Sequence, residues 1–97
     1  MMNSKDRAYL RSLANTIEPI LQIGKSGINN NLIKQVNDAL EARELIKITV
    51  LETAPEDAND VAIELSNSTN SIVVQVLGRK ITLYRKRKKD SKIGINA

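Results

Sequence analysis

Apolar residues recur every three or four positions in three segments of this chain, and this spacing predicts three helices. The first has Ser4 as a candidate cap, Pro19 as a stop, and an apolar stripe of Leu10, Leu13, Ala14 and Ile17. The second has Asn29 or Asn30 as its cap and a stripe of Leu32, Ile33, Val36, Ala39 and Leu40. The third opens on Thr53-Ala54-Pro55-Glu56, which matches a capping box, and buries Ala58, Val61, Ala62 and Leu65.

Elsewhere the pattern is that of strands. Residues 20–23 form a short apolar run, and within residues 44–51 the apolar Ile46, Ile48 and Val50 alternate with Lys47 and Thr49. Two further strands are predicted to form a hairpin around Gly78-Arg79, a pair that suits a type II′ turn. That turn pairs Val76 with Ile81 and Val74 with Leu83 on one face, and Gln75 with Thr82 and Val73 with Tyr84 on the other.

The resulting order, α-β-α-β-α-β-β, predicts an α/β fold: a two-layer domain with a mixed four-stranded sheet. The pattern leaves open whether the first helix lies with the other two or covers the second face of the sheet. The length of 97 residues suits one core, which we assign to residues 1–87. Residues 88–97 lack an apolar pattern and are predicted to form a basic, flexible tail.

The chain contains neither cysteine nor histidine. Disulfides and thiolate metal sites are therefore excluded, and the commonest general base and neutral metal ligand are missing. We predict no catalytic residue, no metal and no cofactor. Because no apolar run is long enough to span a bilayer and residues 1–6 lack the pattern of a secretory signal, we expect a cytoplasmic protein without membrane contact.

The net charge of +4 is distributed unevenly. Residues 85–97 carry a net charge of +5, whereas the other 84 residues carry −1. No lysine or arginine occurs from Ile48 to Gly78, a stretch that contains Glu52, Glu56, Asp57, Asp60 and Glu64. This asymmetry predicts a basic surface that attracts phosphate and an acidic surface turned away from it.

The loop Gly24-Lys25-Ser26-Gly27 joins the first strand to the second helix. Its glycines let the backbone approach an anion, its amides and the helix N-terminus favour negative charge, and Lys25 and Ser26 add a cation and a hydroxyl donor. The loop is not a Walker A motif, because Pro19 stands where that motif needs glycine. It is closer to the loop with which KH domains clamp backbone nucleotides.

Aromatic residues are scarce: Phe and Trp are absent, and the only two tyrosines are Tyr9 and Tyr84. Stacking of bases on strand aromatics, as in RRM domains, therefore has little support. We expect recognition to depend on phosphates and shape more than on stacked bases.

These motifs together resemble the CRM domain, and more narrowly the stand-alone YhbY-type RNA-binding proteins of bacteria. The strings that carry the resemblance are Leu21-Gln22-Ile23-Gly24-Lys25-Ser26-Gly27, Leu45-Ile46-Lys47-Ile48, Val74-Gln75-Val76-Leu77-Gly78-Arg79-Lys80-Ile81-Thr82-Leu83-Tyr84-Arg85 and Ser4-Lys5-Asp6-Arg7-Ala8-Tyr9-Leu10-Arg11. The hairpin string combined with the Gly-Lys-x-Gly loop is the specific part, and the likeness covers nearly the whole chain.

The resemblance implies a fold like that of the C-terminal domain of translation initiation factor 3. It also implies RNA binding and association with precursors of the large ribosomal subunit. It assigns to the RNA site the loop residues Gly24, Lys25, Ser26 and Gly27 and the basic residues Lys5, Arg7, Arg11, Arg79, Lys80 and Arg85. Charge alone adds Lys86, Arg87, Lys88 and Lys89.

We therefore expect a non-enzymatic RNA-binding protein, monomeric when free, that binds ribosomal RNA in precursors of the large subunit and assists ribosome assembly. An alternative is a protein-interaction module whose acidic third helix docks a basic ribosomal protein. Charge reversal at Asp57, Asp60 and Glu64 would then abolish association with the subunit and leave RNA binding intact. A third interpretation, an RNA-modifying enzyme, lacks an evident nucleophile–base pair in this sequence.

Overall fold

In the computed structural model, which describes residues 3–87, the elements follow one another in the predicted order. They are α1 (Ser4–Ala14), β1 (Leu21–Ile23), α2 (Asn30–Arg43), β2 (Leu45–Val50), α3 (Ala58–Thr69), β3 (Ile72–Leu77) and β4 (Lys80–Tyr84). The strands form one sheet in the order β1-β2-β4-β3, with β1 parallel to β2 and the other pairs antiparallel. The predicted α/β class and mixed four-stranded sheet are confirmed. The predicted tail, with Lys88 and Lys89, lies outside the described residues.

The main core lies between one face of the sheet and the helices α2 and α3. Alternate residues of the central strands point into it, including Ile46, Ile48 and Ile81, and the helices contribute the predicted Val36, Leu40, Val61 and Leu65. This packing makes the predicted two layers.

Helix α1 covers the opposite face of the sheet, which the sequence left open. Leu45 and Tyr84 each stand next to a main-core residue in the sequence. Because side chains alternate along a strand, both point to the second face, where they pack with Leu10 and Val74. These contacts lie where β2 begins and β4 ends, which we call the far end of the sheet. Helix α1 therefore packs over the far end of the second face.

The predicted ends of α1 are wrong. Asn3, not Ser4, is the cap, and its Oδ1 accepts a hydrogen bond from the Asp6 amide at 2.8 Å. The helix ends at Ala14 before Pro19 is reached, because the Thr16 amide and hydroxyl both turn back to the Leu13 carbonyl, at 3.0 and 2.7 Å.

Of the N-caps predicted for α2 and α3, the first is confirmed and the second is wrong. Asn29 caps α2 and accepts from the Leu32 amide at 2.8 Å. The capping box at residues 53–56 is wrong, because Asp57 caps α3 and accepts from the Asp60 amide at 2.9 Å. The buried face predicted for α3 is unaffected by this shift.

The hairpin register is as predicted next to the turn and wrong beyond it. Val76 opposes Ile81 and Gln75 opposes Thr82, and Gly78 has a φ of +62° whereas Arg79 has no positive φ, as a type II′ turn requires. An irregularity between Val73 and Gln75 then shifts the pairing, so that Val73, not Val74, opposes Leu83, and Ile72, not Val73, opposes Tyr84. Val74 consequently leaves the main core and packs beneath α1.

Candidate nucleic-acid interface

The glycine loop and the hairpin turn lie at the same end of the sheet. Because β1 and β2 are parallel, the segments that follow them leave at the same end of the sheet. Strand β4 starts at that end too, because Lys80 pairs with Thr49. The Leu51 amide donates to the Ile23 carbonyl at 2.9 Å, and the Val50 amide donates to the Arg79 carbonyl at 2.7 Å. We call this end of the sheet, with residues 24–27, 51–55 and 78–80, the loop end.

The loop itself is a tight turn in which the Gly27 amide donates to the Gly24 carbonyl at 2.9 Å. Lys25 and Ser26 are exposed at its tip. Gly27 has a φ of +65°, which favours glycine, and a Cβ there would lie 3.0 Å from Pro55 Cγ, which is a tight contact. A Cβ on Gly24 would make only ordinary contacts of 3.7 and 3.8 Å. A substitution at Gly24 can therefore test ligand binding without disturbing the fold, whereas one at Gly27 cannot.

Two helices begin at the loop end, and their N-termini differ in charge. Helix α2 has no acidic residue in its first turn, so its positive dipole end is not neutralised. Helix α3 has Asp57 as its cap and Asp60 in its first turn. Partial burial, together with the neighbouring carboxylates of Glu64 and Asp60, raises the pKa of Glu56 from its usual value. The loop end therefore attracts anions on its α2 side and repels them on its α3 side.

Three of the predicted basic residues lie at the loop end: Lys25, Arg79 and Lys80, all exposed. Arg79 Nη2 is 3.7 Å from Glu52 Oε1, and the two side chains are 57% and 84% exposed. A pair so open to water is worth about 0–1 kcal/mol, so Arg79 can exchange Glu52 for another anion at little cost.

Three more predicted residues lie on α1. Lys5 and Arg11 are exposed, while the half-buried Arg7 donates through Nη1 to the Val73 carbonyl at 3.1 Å, where the β3 register shifts. Arg7 and Arg11 are one turn apart on the flank of α1 opposite Leu13. Leu13 lines a hollow beside Ile20, the residue before β1, so this side of the helix faces the β1 edge of the sheet. The flank with Arg7 and Arg11 therefore faces the β3 edge, where Arg7 contacts Val73.

Arg85 lies at the far end and is engaged inside the fold. Its Nη1 donates to Asn37 Oδ1 at 2.7 Å and to the Thr69 carbonyl at 2.8 Å, and its Nη2 donates to the Asn37 carbonyl at 3.0 Å. The structure thus gives Arg85 a structural role, joining β4 to α2 and α3, and its assignment to the RNA site stays a prediction.

Two further predicted bases follow Arg85 at the same end. Lys86 is exposed, and Arg87 is half-buried with its amide donating to Glu44 Oε2 at 3.4 Å. Both therefore lie away from the loop end, and their RNA role also stays a prediction.

The part of the second face towards the loop end carries polar residues that the sequence reasoning did not assign to the site. Two cross-strand rows form it: Lys47-Thr82-Gln75 and Gln22-Thr49-Lys80-Leu77. Thr82 is buried and its two row neighbours are half-buried, whereas the second row is exposed except for the half-buried Thr49. We call these two rows the open half-face. Of its members, only Lys80 was predicted as a site residue. Strand alternation in β2 shows that Lys47 and Thr49 point away from the main core, but not that α1 leaves them uncovered.

Some features do not occur within residues 3–87. None of the helices there combines the length and apolar character needed to cross a bilayer. Nor do three or more acidic side chains of that range come together in a way that suits a metal ion.

Comparison with known proteins identifies the family. The chain is 47% identical over 93 residues to the Probable RNA-binding protein YqeI of Bacillus subtilis, which covers 96% of this chain and 97% of that protein. It is 26% identical over 84 residues to an RNA-binding protein of Haemophilus influenzae, covering 87% of this chain and 85% of that one. The fold matches the solution structure of SAV1595 from Staphylococcus aureus with a TM-score of 0.81 at 49% identity, covering 99% of this chain and 100% of that one. Residues 2–85 match the CRS1/YhbY (CRM) domain, and the chain belongs to that family.

Proposed function

We propose that this chain is a non-enzymatic RNA-binding protein that binds ribosomal RNA in precursors of the large ribosomal subunit and assists their assembly. Its family and the names of its relatives support RNA as the ligand. One observation carries the proposal: the glycine loop begins two residues after Gln22 of the open half-face, and Arg7 contacts Val73, two residues before Gln75 of the same half-face. The two rows of that half-face contain two lysines and no acidic residue.

In this proposal the loop holds a backbone phosphate. The half-buried main chain at Gly24 has no side chain to block close approach, the dipole of α2 favours the negative charge, and the exposed Lys25 and Ser26 supply a cation and a hydroxyl donor. Lys80 and Arg79 neutralise neighbouring phosphates. Binding of this kind weakens steeply with salt, by about 0.7 to 0.9 in the log–log slope for each phosphate contact.

The test of the loop compares Gly24→Asp with Gly24→Asn, which have side chains of the same shape and differ in charge. A Cβ at this position makes only ordinary contacts with Leu51 and Thr53, so we expect both variants to fold. Binding to a labelled fragment of large-subunit ribosomal RNA is measured by fluorescence anisotropy, with circular dichroism as the check on folding. We expect the aspartate variant to bind at least about tenfold more weakly than the asparagine variant, because a carboxylate close to a phosphate repels it. Equal binding by the two folded variants would refute the loop mechanism.

The assembly role is tested separately, by sedimentation of cell extracts through sucrose gradients. We expect the wild-type chain to travel with precursors of the large subunit and the Gly24→Asp variant to remain at the top of the gradient. A wild-type chain that binds ribosomal RNA in solution and yet never travels with those precursors would contradict the assembly role and leave RNA binding intact.

A further inference from the structure

We propose that the open half-face binds unpaired nucleotides, so that the RNA held by this chain is single-stranded where it crosses the sheet. The inference rests on the proposed RNA binding and adds a recognition surface to the phosphate contacts of the loop. Its residues, Gln22, Lys47, Thr49 and Gln75 above all, belong neither to the glycine loop nor to the basic residues of the predicted site.

The open half-face is a flat area of sheet, or shelf, bordered by α1 on one side and by the loop end on the other. Neighbouring strands are about 4.8 Å apart and successive rows on one face about 7 Å apart, so the two rows span a floor of about 14 by 7 Å. The floor is most open along the row of Gln22, Lys80 and Leu77, which are exposed, and is closed at Thr82, which is buried. Helix α1 rises above this floor on one side, since it packs on the same face over Leu45, Val74 and Tyr84. The loop end borders the opposite side, because β1 ends one residue after Gln22 and β4 begins at Lys80.

The side chains on the floor have the chemistry of base edges. The amides of Gln22 and Gln75 and the hydroxyl of Thr49 each offer both hydrogen-bond donors and acceptors. Lys47 and Lys80 lie one row apart and carry positive charge for the phosphates that accompany the bases. Within residues 3–87 no ion pair involves either lysine, so neither charge is neutralised by a side-chain partner.

Leu77 explains how bases can be held where aromatic residues are missing. This residue is 67% exposed, the most exposed of the large apolar residues in residues 3–87, and it lies in the same row as Thr49 and Lys80. An apolar side chain at this position covers the face of a base that is not stacked on a neighbour. The same leucine cannot make this contact with a duplex, because the faces of its bases are already covered by stacking on each other.

The geometry favours a single strand over a duplex. In A-form RNA the base edges are paired and the major groove is too deep and narrow for side chains to read, whereas loops and bulges present unstacked bases. A rigid duplex lying across the shelf would rest its phosphates on α1 and on the loop end, above the floor. A single strand follows the floor and brings both its phosphates and its bases into contact.

The experiment uses the full chain and two probes: a short single-stranded RNA of mixed sequence, and the same strand annealed to its complement. We expect the single strand to bind at least about tenfold more tightly, since contacts to each unstacked base add substantially to affinity. Thr49→Glu places a carboxylate on the floor, and Thr49→Gln is its uncharged control of similar size. We expect the glutamate variant to lose at least about tenfold in affinity for the single strand relative to the glutamine variant.

A second pair of variants keeps the test decisive if Thr49→Glu fails to fold. Lys47→Gln removes a charge from the floor, and its control is Lys34→Gln, an exposed lysine of α2 that pairs with Asp38 at 2.9 Å. We expect Lys47→Gln alone to lower the salt slope for the single strand by about 0.7. Equal or tighter binding of the duplex, or equal behaviour of the two lysine variants, would overturn the inference. Failure of the wild-type chain to bind either probe or the ribosomal RNA fragment would instead contradict the proposed function itself.

Discussion

Replacing Arg85 with methionine keeps a long side chain in place and removes its guanidinium, which separates a structural role from an RNA contact. In the folded chain that guanidinium makes three hydrogen bonds of 2.7 to 3.0 Å to Asn37 and Thr69. Two of the acceptors are main-chain carbonyls, one of them on the last residue of α3. The substitution therefore leaves the end of α3 and a carbonyl of α2 without their donor.

The size of the loss follows from this geometry. A hydrogen bond to a charged group contributes about 1.5–3 kcal/mol, but the Arg85 side chain is 23% exposed, so water replaces part of what is lost. The contact with Glu41 at 3.6 Å adds little, because the Glu41 side chain is 55% exposed. We expect the free energy of unfolding to fall by about 2–4 kcal/mol in all. Each kcal/mol lowers the melting temperature of a domain of this size by about 4–8 °C.

The assay is urea unfolding of wild type and Arg85→Met, with RNA affinity measured under conditions where both are folded. Arg79→Met is the control: Arg79 is 57% exposed and pairs only at 3.7 Å, so its loss should change the free energy of unfolding by less than about 1 kcal/mol. We expect Arg85→Met to lower stability and keep RNA affinity, and Arg79→Met to do the reverse. Wild-type stability with weakened RNA binding in Arg85→Met would refute the structural reasoning and favour the role that the family resemblance gives this residue.

Two further predictions concern the loop end. Gly27→Ala should destabilise the fold by about 1–2 kcal/mol in urea unfolding because its φ is +65° and Pro55 is close, whereas Gly24→Ala should be neutral or stabilise by up to about 1 kcal/mol. Equal effects at the two glycines would contradict this account of the turn. Glu56→Gln should raise the melting temperature at neutral pH. The pKa of Glu56 is raised in the folded state, so the folded chain holds this proton more tightly than the unfolded chain does. The wild-type chain therefore loses stability as the pH rises above 4.5, the usual pKa of a glutamate. The advantage of the glutamine variant should vanish below that pH, and an advantage that persists there would show that charge is not its cause.

The parts of the fold that the sequence could predict are those set by local periodicity. The stripes of α2 and α3 and the alternation of β2 define the main core, and each was visible because helices and strands repeat their facing residues at fixed intervals. Helix caps were less predictable, because Asn3 and Ser4 are adjacent and both side chains can cap. The shift at Val73 and Val74 was not visible either, since both residues are valines that suit either face of a strand.

The candidate site was predictable to the extent that its signals are local. The turn Gly24–Gly27 depends on residues next to one another, so its sequence was enough to place it between β1 and α2. Arg79 and Arg85 are both arginines of the hairpin string, and no local signal distinguishes them. Their roles differ because Arg85 meets Asn37, which lies 48 residues away in sequence, whereas the exposed Arg79 has only a loose contact with the exposed Glu52. Lys47 was missed for a similar reason, since only the position of α1 shows which part of the second face is left open.

The direction that RNA takes across the surface follows from how charge is divided at the loop end. The segment between β2 and α3 lies beside the glycine loop and carries Glu52, Glu56 and Asp57, so a strand leaving the loop towards α3 meets like charge. In the other direction lies the open half-face, whose rows hold Lys47 and Lys80 and no carboxylate. If the proposed RNA site is correct, repulsion on one side and attraction on the other give the strand one favourable path, from the loop across β2 and β4 to Arg7 at β3. We therefore propose that the acidic surface of α3 contributes to recognition by excluding a path.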